Sequence, residues 1–360
     1  MTAAMAGKQL PCHCRNKIQL VAERNGYEML QYIIRRILLV IPVVIFISFV
    51  VFYIIQLPPG DYVSSYSAKM SAAGDVMTQA EMDEMRSNLG LDRPVYEQYF
   101  VWMKKIVLHG DFGFSFNYNK PVLAVVKQYM GLTLVVSLVT MVFQYLVAIP
   151  VGIYTAVKQY SPGDYFFSGL SFIGMATPNF LLAIILMFLS YTWFGDPLLG
   201  LFSNEYVNAP WSMDKVIDLA KHLVIPVIVI GLASTADLIR VMRGQMLDEL
   251  NKPNVVTARA KGVSETKILL KYPTRAALNP IVSTFGWSLS SVFTGSTITA
   301  IVLNLPIQGP VMYNALLGQD MYLAGSWLLF MALLTVLGTL ISDILLAWLD
   351  PKIRTEFRGN

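Results

Sequence analysis

The sequence is poor in the residues that build metal and catalytic sites, with 2 cysteines and 3 histidines among 360 residues. Cys12 and Cys14 flank His13, but a metal site needs more ligands at a regular spacing, so no metal site is predicted. The other histidines, His109 and His222, are far apart in sequence and belong to no H-E-x-x-H motif or paired-carboxylate arrangement.

The sequence also lacks the phosphate loop G-x-x-x-x-G-K-[ST] of nucleotide-hydrolysing enzymes. No strand-to-helix nucleophile elbow surrounds any serine. These absences favour a protein without catalytic activity and without a bound cofactor. Any energy that it uses must then come from another protein or from an ion gradient.

Charged residues are scarce as well, at 14%, while 55% of the residues are hydrophobic and the mean hydropathy is +0.54. A helix needs about 20 apolar residues to cross the hydrocarbon core of a bilayer. Long apolar runs without alternating polarity argue against an outer-membrane barrel. The sequence therefore predicts an all-α membrane protein with six transmembrane helices. The predicted spans are Ile37–Leu57, Thr133–Val157, Phe166–Trp193, Leu223–Val241, Ile281–Leu303 and Trp327–Leu349.

Lysine and arginine are distributed unevenly, which predicts the orientation of the spans. Six precede the first span, eight lie between Arg240 and Arg275, and three follow Leu349, whereas residues 304–326 contain none. Both termini and the Arg240–Arg275 region are therefore expected on the cytoplasmic side. Residues 58–128 carry seven basic and eight acidic residues, but long loops cross membranes with little regard to charge.

This pattern divides the chain into five parts. Residues 1–28 form a tail that we expect to be disordered, and Met29 would make an equally good start. The first apolar run is too long for a signal-peptide core, so we expect an uncleaved anchor. The predicted parts are the tail (1–28), the first transmembrane helix (29–57), a small helical extracytoplasmic insert (58–128), a core (129–349) with a cytoplasmic loop (244–280), and a cytoplasmic tail (350–360).

The region Asn251–Tyr272, here called the polar segment, is a long polar stretch between two apolar spans. Asn251 is predicted to cap a helix that begins near Pro253 and ends at Gly262, the usual left-handed residue after a helix. Ser264 is predicted to cap a second short helix. Such a compact, basic unit suits either a protein partner or the surface of anionic lipid.

Several polar residues fall inside the predicted spans. Pro178 predicts a kink in the third span. Asp237 and Asp343 lie near cytoplasmic ends, where we favour structural ion pairs with arginines over an ion relay. Hydroxyl groups of the fifth span predict either close helix packing or a wetted translocation path. The candidate path residues are Ser283, Ser288, Ser290, Ser291, Thr294 and Thr297.

Five short sequences carry a resemblance to a known family. They are Tyr32–Arg36, Leu91–Pro94, His109–Ser115, Ala258–Gly262 and Leu349–Arg354. Together they resemble the inner-membrane permeases of dipeptide- and oligopeptide-type ABC importers over nearly everything from Met29 onward. The resemblance implies the type I permease fold in the cytoplasmic membrane of a bacterium or archaeon, with six transmembrane helices and both termini inside.

The resemblance also implies partners, and it makes the polar segment the loop that contacts the ATPase. The residues implied in this contact are Val256, Thr257, Ala258, Arg259, Ala260, Lys261, Gly262, Ser264 and Glu265. Two cytoplasmic ATPase subunits would bind the ATP. A second, similar permease and an extracytoplasmic binding protein would complete the importer, with membrane lipid around it and no nucleic acid.

The cargo stays open at this point. At the end of the fifth span, where peptide-type permeases commonly carry a glutamate, this chain has Thr299–Ile301 and then Asn304–Pro306. The loop also begins with Val256-Thr257-Ala258 instead of Glu-Ala-Ala. A hydroxyl-lined path without acids suits an oligosaccharide as well as a peptide. An ion-driven secondary transporter is the more distant alternative.

Overall fold

The computed structural model describes residues 38–57, 59–295 and 297–349, without the side chains of Thr294 and of residues 347–349. The predicted tails (1–28 and 350–360), with Cys12, His13 and Cys14, lie outside the described residues. So does the beginning of the 29–57 segment.

The described residues are almost entirely helical, and the one described sheet is a two-stranded antiparallel hairpin that pairs Phe114 with Pro121 and Ser115 with Lys120. In chain order the elements are α1 (Leu38–Ile55), α2 (Tyr62–Ala72), α3 (Gln79–Leu89), α4 (Val95–His109), β1 (Phe114–Ser115), β2 (Lys120–Pro121), α5 (Val122–Val157), α6 (Pro162–Ala176), α7 (Asn179–Phe194), α8 (Met213–Leu250), α9 (Pro253–Ala260), α10 (Glu265–Lys271), α11 (Pro273–Ser283), α12 (Phe285–Thr294), α13 (Thr297–Val302), α14 (Gln308–Leu317) and α15 (Met321–Leu349).

Within the described part of the chain, 4 helices are long and apolar enough to cross a membrane, namely α1, α5, α8 and α15. The pair α6 and α7 makes up to 5 if it is counted as one bent span. Helices α5 and α8 extend well beyond the predicted spans Thr133–Val157 and Leu223–Val241. Helices α11, α12 and α13 are each too short to cross alone, so a count of six depends on taking them together.

The third predicted span is broken rather than kinked. Helix α6 ends at Ala176, Thr177 is extended, and α7 begins after Pro178 at an angle of 108° to α6. A proline disfavours the helical conformation of the residue before it, which explains why the helix stops at this point. The prediction of one kinked helix over Phe166–Trp193 is therefore wrong.

The fifth predicted span, Ile281–Leu303, is likewise not continuous. The hydroxyl of Ser283 donates to the Pro280 carbonyl at 2.6 Å, and the hydroxyl of Thr284 donates to the Ile281 carbonyl at 3.0 Å. Such local bonds compete with the regular helical ladder. A second interruption comes at Gly295, whose φ of 48° ends α12. The span becomes three short helices.

Helices α5 and α8 form the centre of the fold, and small residues let them approach closely. A Cβ on Gly152 of α5 would stand 2.6 Å from the Cβ of Met242 on α8. A Cβ on Gly231 of α8 would stand 3.2 Å from the methyl group of Thr140 on α5. Close packing of this kind holds helices together where the surroundings are as apolar as the side chains.

Residues 59–121 pack on the helices rather than forming a core of their own. Trp102 and Tyr99 of α4 are buried against Phe52 of α1 and Leu329 of α15. The Tyr99 hydroxyl lies 2.8 Å from that of Ser48 on α1. Helix α4 is thereby fixed to two of the long helices.

The turn between α14 and α15 also holds residues 59–121 to the helices. Gln319, with a positive φ of 52°, donates to the Pro59 carbonyl at 3.0 Å and accepts from the Ser65 hydroxyl at 2.6 Å. The buried carboxyl of Asp320 accepts from the Ser115 hydroxyl at 2.6 Å. Burial raises the pKa of Asp320, against the opposing effect of that hydrogen bond. The first helices and the hairpin are thus tied to the start of α15.

Candidate coupling and translocation sites

The polar segment folds as two short helices joined by a tight turn. Helix α9 ends at Ala260 and Gly262 follows with a φ of 74°, so the predicted left-handed glycine is confirmed. Apart from its two chain neighbours, no described residue has a heavy atom within 4 Å of where its Cβ would stand, so backbone conformation alone requires glycine. The predicted cap at Asn251 is wrong, because Asn251 ends α8 and Lys252 is the N-cap of α9. Pro253 favours an extended residue before it, which moves the cap by one position.

A small apolar core joins the two helices of the polar segment. Val255 and Ala258 of α9 and Ile268 of α10 are buried together, with Val263 and Tyr272 packed against them. Each helix alone, at 8 and 7 residues, is too short to be stable in water. Their shared core makes the segment one compact unit.

Most residues that the sequence predicts at a partner contact lie on the surface of this unit. Ala258 is the exception, since it is buried in the small core. Ser264 occupies the N-cap position of α10 as predicted, but its side chain makes no cap hydrogen bond. The exposed residues are Val256, Thr257, Arg259, Ala260, Lys261, Gly262, Ser264 and Glu265.

An ion pair closes the turn of the polar segment. The Arg259 guanidinium donates two hydrogen bonds to the Glu265 carboxylate, at 2.6 and 3.2 Å. These bonds lower the pKa of Glu265 below its ordinary value. Both side chains are at least half exposed, so solvent screens the pair and either partner can exchange it for another charge.

The polar segment is joined to the helical bundle through α8 and α11. Met246 of α8 is fully buried, and the Thr274 hydroxyl of α11 lies 3.7 Å from its sulfur. Ala277 and Ile281 continue the same apolar contact along α11. Because protein interiors are densely packed, a displacement of the polar segment reaches both helices.

The predicted path residues on α11–α13 fall into two groups. Ser283 and Ser291 are exposed, as is Trp287 between them at 73%. Ser290 instead faces α15, where it accepts a hydrogen bond of 2.7 Å from Thr335. Ser288 and Thr297 are half-buried, and the side chain of Thr294 lies outside the described atoms. The hydroxyls therefore serve helix packing on one side and form an open polar face on the other.

The packing side brings α12 and α15 into backbone contact. A Cβ on Gly338 of α15 would stand 2.9 Å from the Cα of Gly286 on α12. The hydroxyl of Ser342 donates to the Ser283 carbonyl at 3.0 Å. No side chain separates the two helices at this crossing.

The two predicted intramembrane charges lie on α8 and α15. Asp237 accepts a hydrogen bond of 2.7 Å from Arg240, one turn further along α8, and both side chains are more than half exposed. Asp343 is half-buried on α15.

A stronger ion pair, which the sequence analysis missed, joins α6 to α8. Arg243 donates to both carboxylate oxygens of Asp164, at 3.2 and 3.0 Å, and the Tyr160 amide donates to the same carboxylate at 2.9 Å. The Asp164 side chain is only 5% exposed. In the sequence, Ser161 and Asp164 match the ordinary pattern of a helix N-terminus. No local pattern pairs Asp164 with Arg243, which lies 79 positions later.

Comparison with known proteins matches two family models to this chain. Residues 148–355 match the binding-protein-dependent transport system inner membrane component. Residues 29–143 match the N-terminal part of binding-protein-dependent transport system membrane components. The first match contains the whole polar segment and α11–α13.

Curated relatives extend the similarity to nearly the full chain. The chain is 34% identical over 328 residues to the oligopeptide transport system permease protein AppB of Bacillus subtilis, covering 90% of this chain and 99% of the relative. It is 31% identical over 345 residues to the dipeptide transport system permease protein DppB of Escherichia coli, covering 91% and 99%. An inward-facing structure of the MetNI methionine ABC transporter is similar at 15% identity and a TM-score of 0.49, over 63% of this chain and 97% of that one.

Proposed function

The chain belongs to the family of inner membrane components of binding-protein-dependent transport systems, and we propose that it forms half of the translocation path for peptides in an ATP-driven importer. It is a non-catalytic permease subunit of an ABC importer. The observation that carries the peptide proposal is the match to oligopeptide and dipeptide permeases along nearly their whole length.

We propose that the chain crosses the membrane six times, with both termini in the cytoplasm. The spans are α1, α5, α6 with α7, α8, α11 to α13, and α15. The lysines and arginines between Arg240 and Arg275 support a cytoplasmic polar segment. Helices α2 to α4 and the hairpin then lie outside as a small helical layer.

The polar segment is the proposed contact with an ATPase subunit. It has the small core, the exposed basic residues and the rigid connection to α8 and α11 that such a contact needs. When ATP draws two ATPases together, the segment would move with its ATPase and shift both helices. The partners proposed are two ATPases, a second homologous but distinct permease, and an extracytoplasmic binding protein.

The open face of Ser283, Trp287 and Ser291 is the proposed contribution to the translocation path. It offers hydroxyl groups and an indole ring, and its described side chains carry no charge. Polar cargo could exchange hydrogen bonds with water for hydrogen bonds with this face. The same face also suits an oligosaccharide, which is the second candidate cargo.

A transport assay tests the proposal. The complete importer, reconstituted in vesicles with its binding protein, is supplied with ATP on the ATPase side and with a labelled dipeptide, a pentapeptide or a trisaccharide. We expect ATP-dependent uptake of the peptides. Uptake of the trisaccharide alone would contradict the peptide cargo, and uptake without ATP or ATPase subunits would contradict the importer and favour a secondary transporter.

A further inference from the structure

Helix α4 turns apolar side chains outward as well as towards the bundle. Tyr99 and Trp102 face the bundle and are buried. On the outer surface Phe100 and Val107 are exposed, and their spacing of seven residues places them on one side of the helix. A helix that lies in water carries polar side chains on its exposed face. The outer surface of α4 therefore requires another environment.

The contacts between α4 and α1 lie well inside the apolar length of α1. The Tyr99 hydroxyl lies 2.8 Å from that of Ser48 and 3.4 Å from the Ile45 carbonyl. Ser48 precedes the end of α1 at Ile55 by seven residues, which is about 10 Å along the helix axis. Because α1 is a proposed span, the Tyr99 side chain lies below the outer boundary of the membrane.

The contacts between α4 and α15 give the same level. Leu329 is buried against Trp102, and Leu333 packs on the same cluster. Residues 321–342 of α15 contain no charged residue, and both leucines lie near the middle of this stretch. About 20 such residues cross the hydrocarbon core of a bilayer. Two spans thus independently place α4 beside the outer half of the membrane.

One side of α4 is polar and faces the outer end of α1. Gln98 lies on this side, where its side chain accepts a hydrogen bond of 3.2 Å from Gln56, the residue after the end of α1. Lys105 and His109 follow Gln98 at seven and eleven residues, so they lie on the same side, and both are exposed. The long lysine side chain can reach the phosphate groups at the surface of a bilayer.

The opposite side of α4 is apolar and faces the middle of α1. Tyr99 reaches Ser48 in this direction, and the ring of Phe100 lies 5.6 Å from that of Tyr99. Met103 and Val107 continue this side along the helix. The two sides face opposite ends of α1, so α4 runs across α1. A helix that is polar towards the water and apolar towards the hydrocarbon matches a helix in the membrane interface.

The exposed apolar surface continues from α1 to α4 without a gap. Phe49 of α1 is exposed, and its ring lies 5.3 Å from the Tyr99 ring, which in turn contacts the exposed ring of Phe100. Phe46 and Tyr53 of α1 are exposed as well. Acyl chains that surround α1 therefore also reach Phe100. This continuity favours lipid over a protein as the partner of α4.

We propose that α4 lies in the outer leaflet of the membrane with phospholipid as its partner. The side with Phe100 and Val107 contacts acyl chains, and Lys105 extends to the phosphate groups. The inference rests on the proposed topology and deepens it, because it places α4 at the inner edge of the outer helical layer, in lipid rather than in water.

Fluorescence quenching in vesicles tests this proposal. Val107→Cys and Lys105→Cys are made separately in an otherwise cysteine-free importer, and each thiol is labelled with an environment-sensitive dye. Nitroxide-labelled phospholipid quenches dyes in the bilayer, and iodide quenches dyes in water. We expect the lipid to quench the dye at position 107, and the iodide quenching constant there to be at least about fivefold below that at position 105.

Val76→Cys is the matched control. Val76 is 75% exposed and Val107 is 73% exposed, but Val76 lies in the loop between α2 and α3, beside the exposed residues Asp75 and Thr78. Its dye should be quenched by iodide and not by the lipid. Iodide quenching at position 107 as strong as at position 76 would overturn the inference. A dye at position 107 that neither agent reaches would also overturn it, because a protein would then cover α4.

Phe46→Cys separates the inference from the proposed topology, since Phe46 is an exposed residue of α1 itself. Lipid quenching at position 46 without lipid quenching at position 107 would overturn the inference alone. Lipid quenching at neither position would overturn the inference and count against the proposed spans as well. ATP-dependent peptide uptake by each labelled variant shows that the importer has assembled correctly.

Discussion

Two arginine–carboxylate pairs near the polar segment have the same chemistry and different surroundings. Arg243 and Asp164 join α6 to α8, and the carboxylate is 5% exposed. Arg259 and Glu265 are six residues apart, and their side chains are 50% and 57% exposed. The first pair fastens α6 to α8, and removal of Arg243 would leave a buried carboxylate without its charged partner. The second pair lies on the surface of the polar segment, and its two side chains can separate.

The largest expected effect follows from breaking the buried pair. Asp164→Asn should destabilise the protein by about 2–3 kcal/mol, because the Arg243 guanidinium loses the charged acceptor of its two hydrogen bonds. Thermal unfolding of the purified complex, followed by tryptophan fluorescence, measures the change. The double exchange Asp164→Arg with Arg243→Asp should recover part of the loss. A melting temperature that Asp164→Asn leaves unchanged would show that the pair contributes nothing.

A smaller effect is expected at the turn that holds the exposed pair. Gly262→Ala places a Cβ on a residue with positive φ, which costs about 1–2 kcal/mol. Gly262→Asn is the matched control, since asparagine tolerates this conformation better. We expect weaker co-purification of the ATPase with the alanine variant than with the asparagine variant. An equal loss of ATPase co-purification in both variants would attribute the effect to side-chain size rather than to backbone strain.

The exposed pair should matter for assembly and not for stability. Arg259→Glu is expected to leave the melting temperature unchanged and to reduce ATPase binding and transport, because it reverses a surface charge at the proposed contact. Lys104→Glu makes the same charge change on an exposed residue of α4, outside the polar segment. Transport at the unchanged rate in the Arg259 variant, or the same loss in both variants, would contradict the coupling role of this surface.

The smallest effect concerns pH. The hydrogen bonds from Arg259 lower the pKa of Glu265, so the pair contributes above the ordinary value of 4.5 and is lost only as pH falls below it. Between pH 6 and 8 we therefore expect ATPase binding to be independent of this pair. A pH series with the unchanged protein and with Glu265→Gln checks this, since a difference in their pH dependence across that range would show another titrating group.

The features that could be predicted from the sequence depend on neighbouring residues. The left-handed turn at Gly262 involves a few consecutive positions, and apolar runs mark α1, α5, α8 and α15. Such patterns follow from local geometry and from the thickness of a bilayer.

The features that could not be predicted depend on contacts distant in sequence or on competition between local rules. The Asp164–Arg243 pair needs the fold to bring two helices together. The breaks at Thr177 and Thr284 interrupt runs that are apolar enough to continue, because proline acts against the helix at the first and side-chain hydroxyl groups act against it at the second. Pro253 likewise places the N-cap of α9 at Lys252, one residue after the predicted cap at Asn251.

The contact between Gly286 and Gly338 has a consequence for how such a protein can move. With backbone against backbone, α12 and α15 cannot slide past one another without driving a neighbouring side chain into a main chain. The two helices therefore move together as one rigid body. Residues 59–121, which Gln319 and Asp320 hold to the start of α15, move together with these two helices. In the described part of the chain, the interruptions at Thr177–Pro178 and at Gly295 are places where no helical hydrogen-bond ladder has to break for the chain to bend.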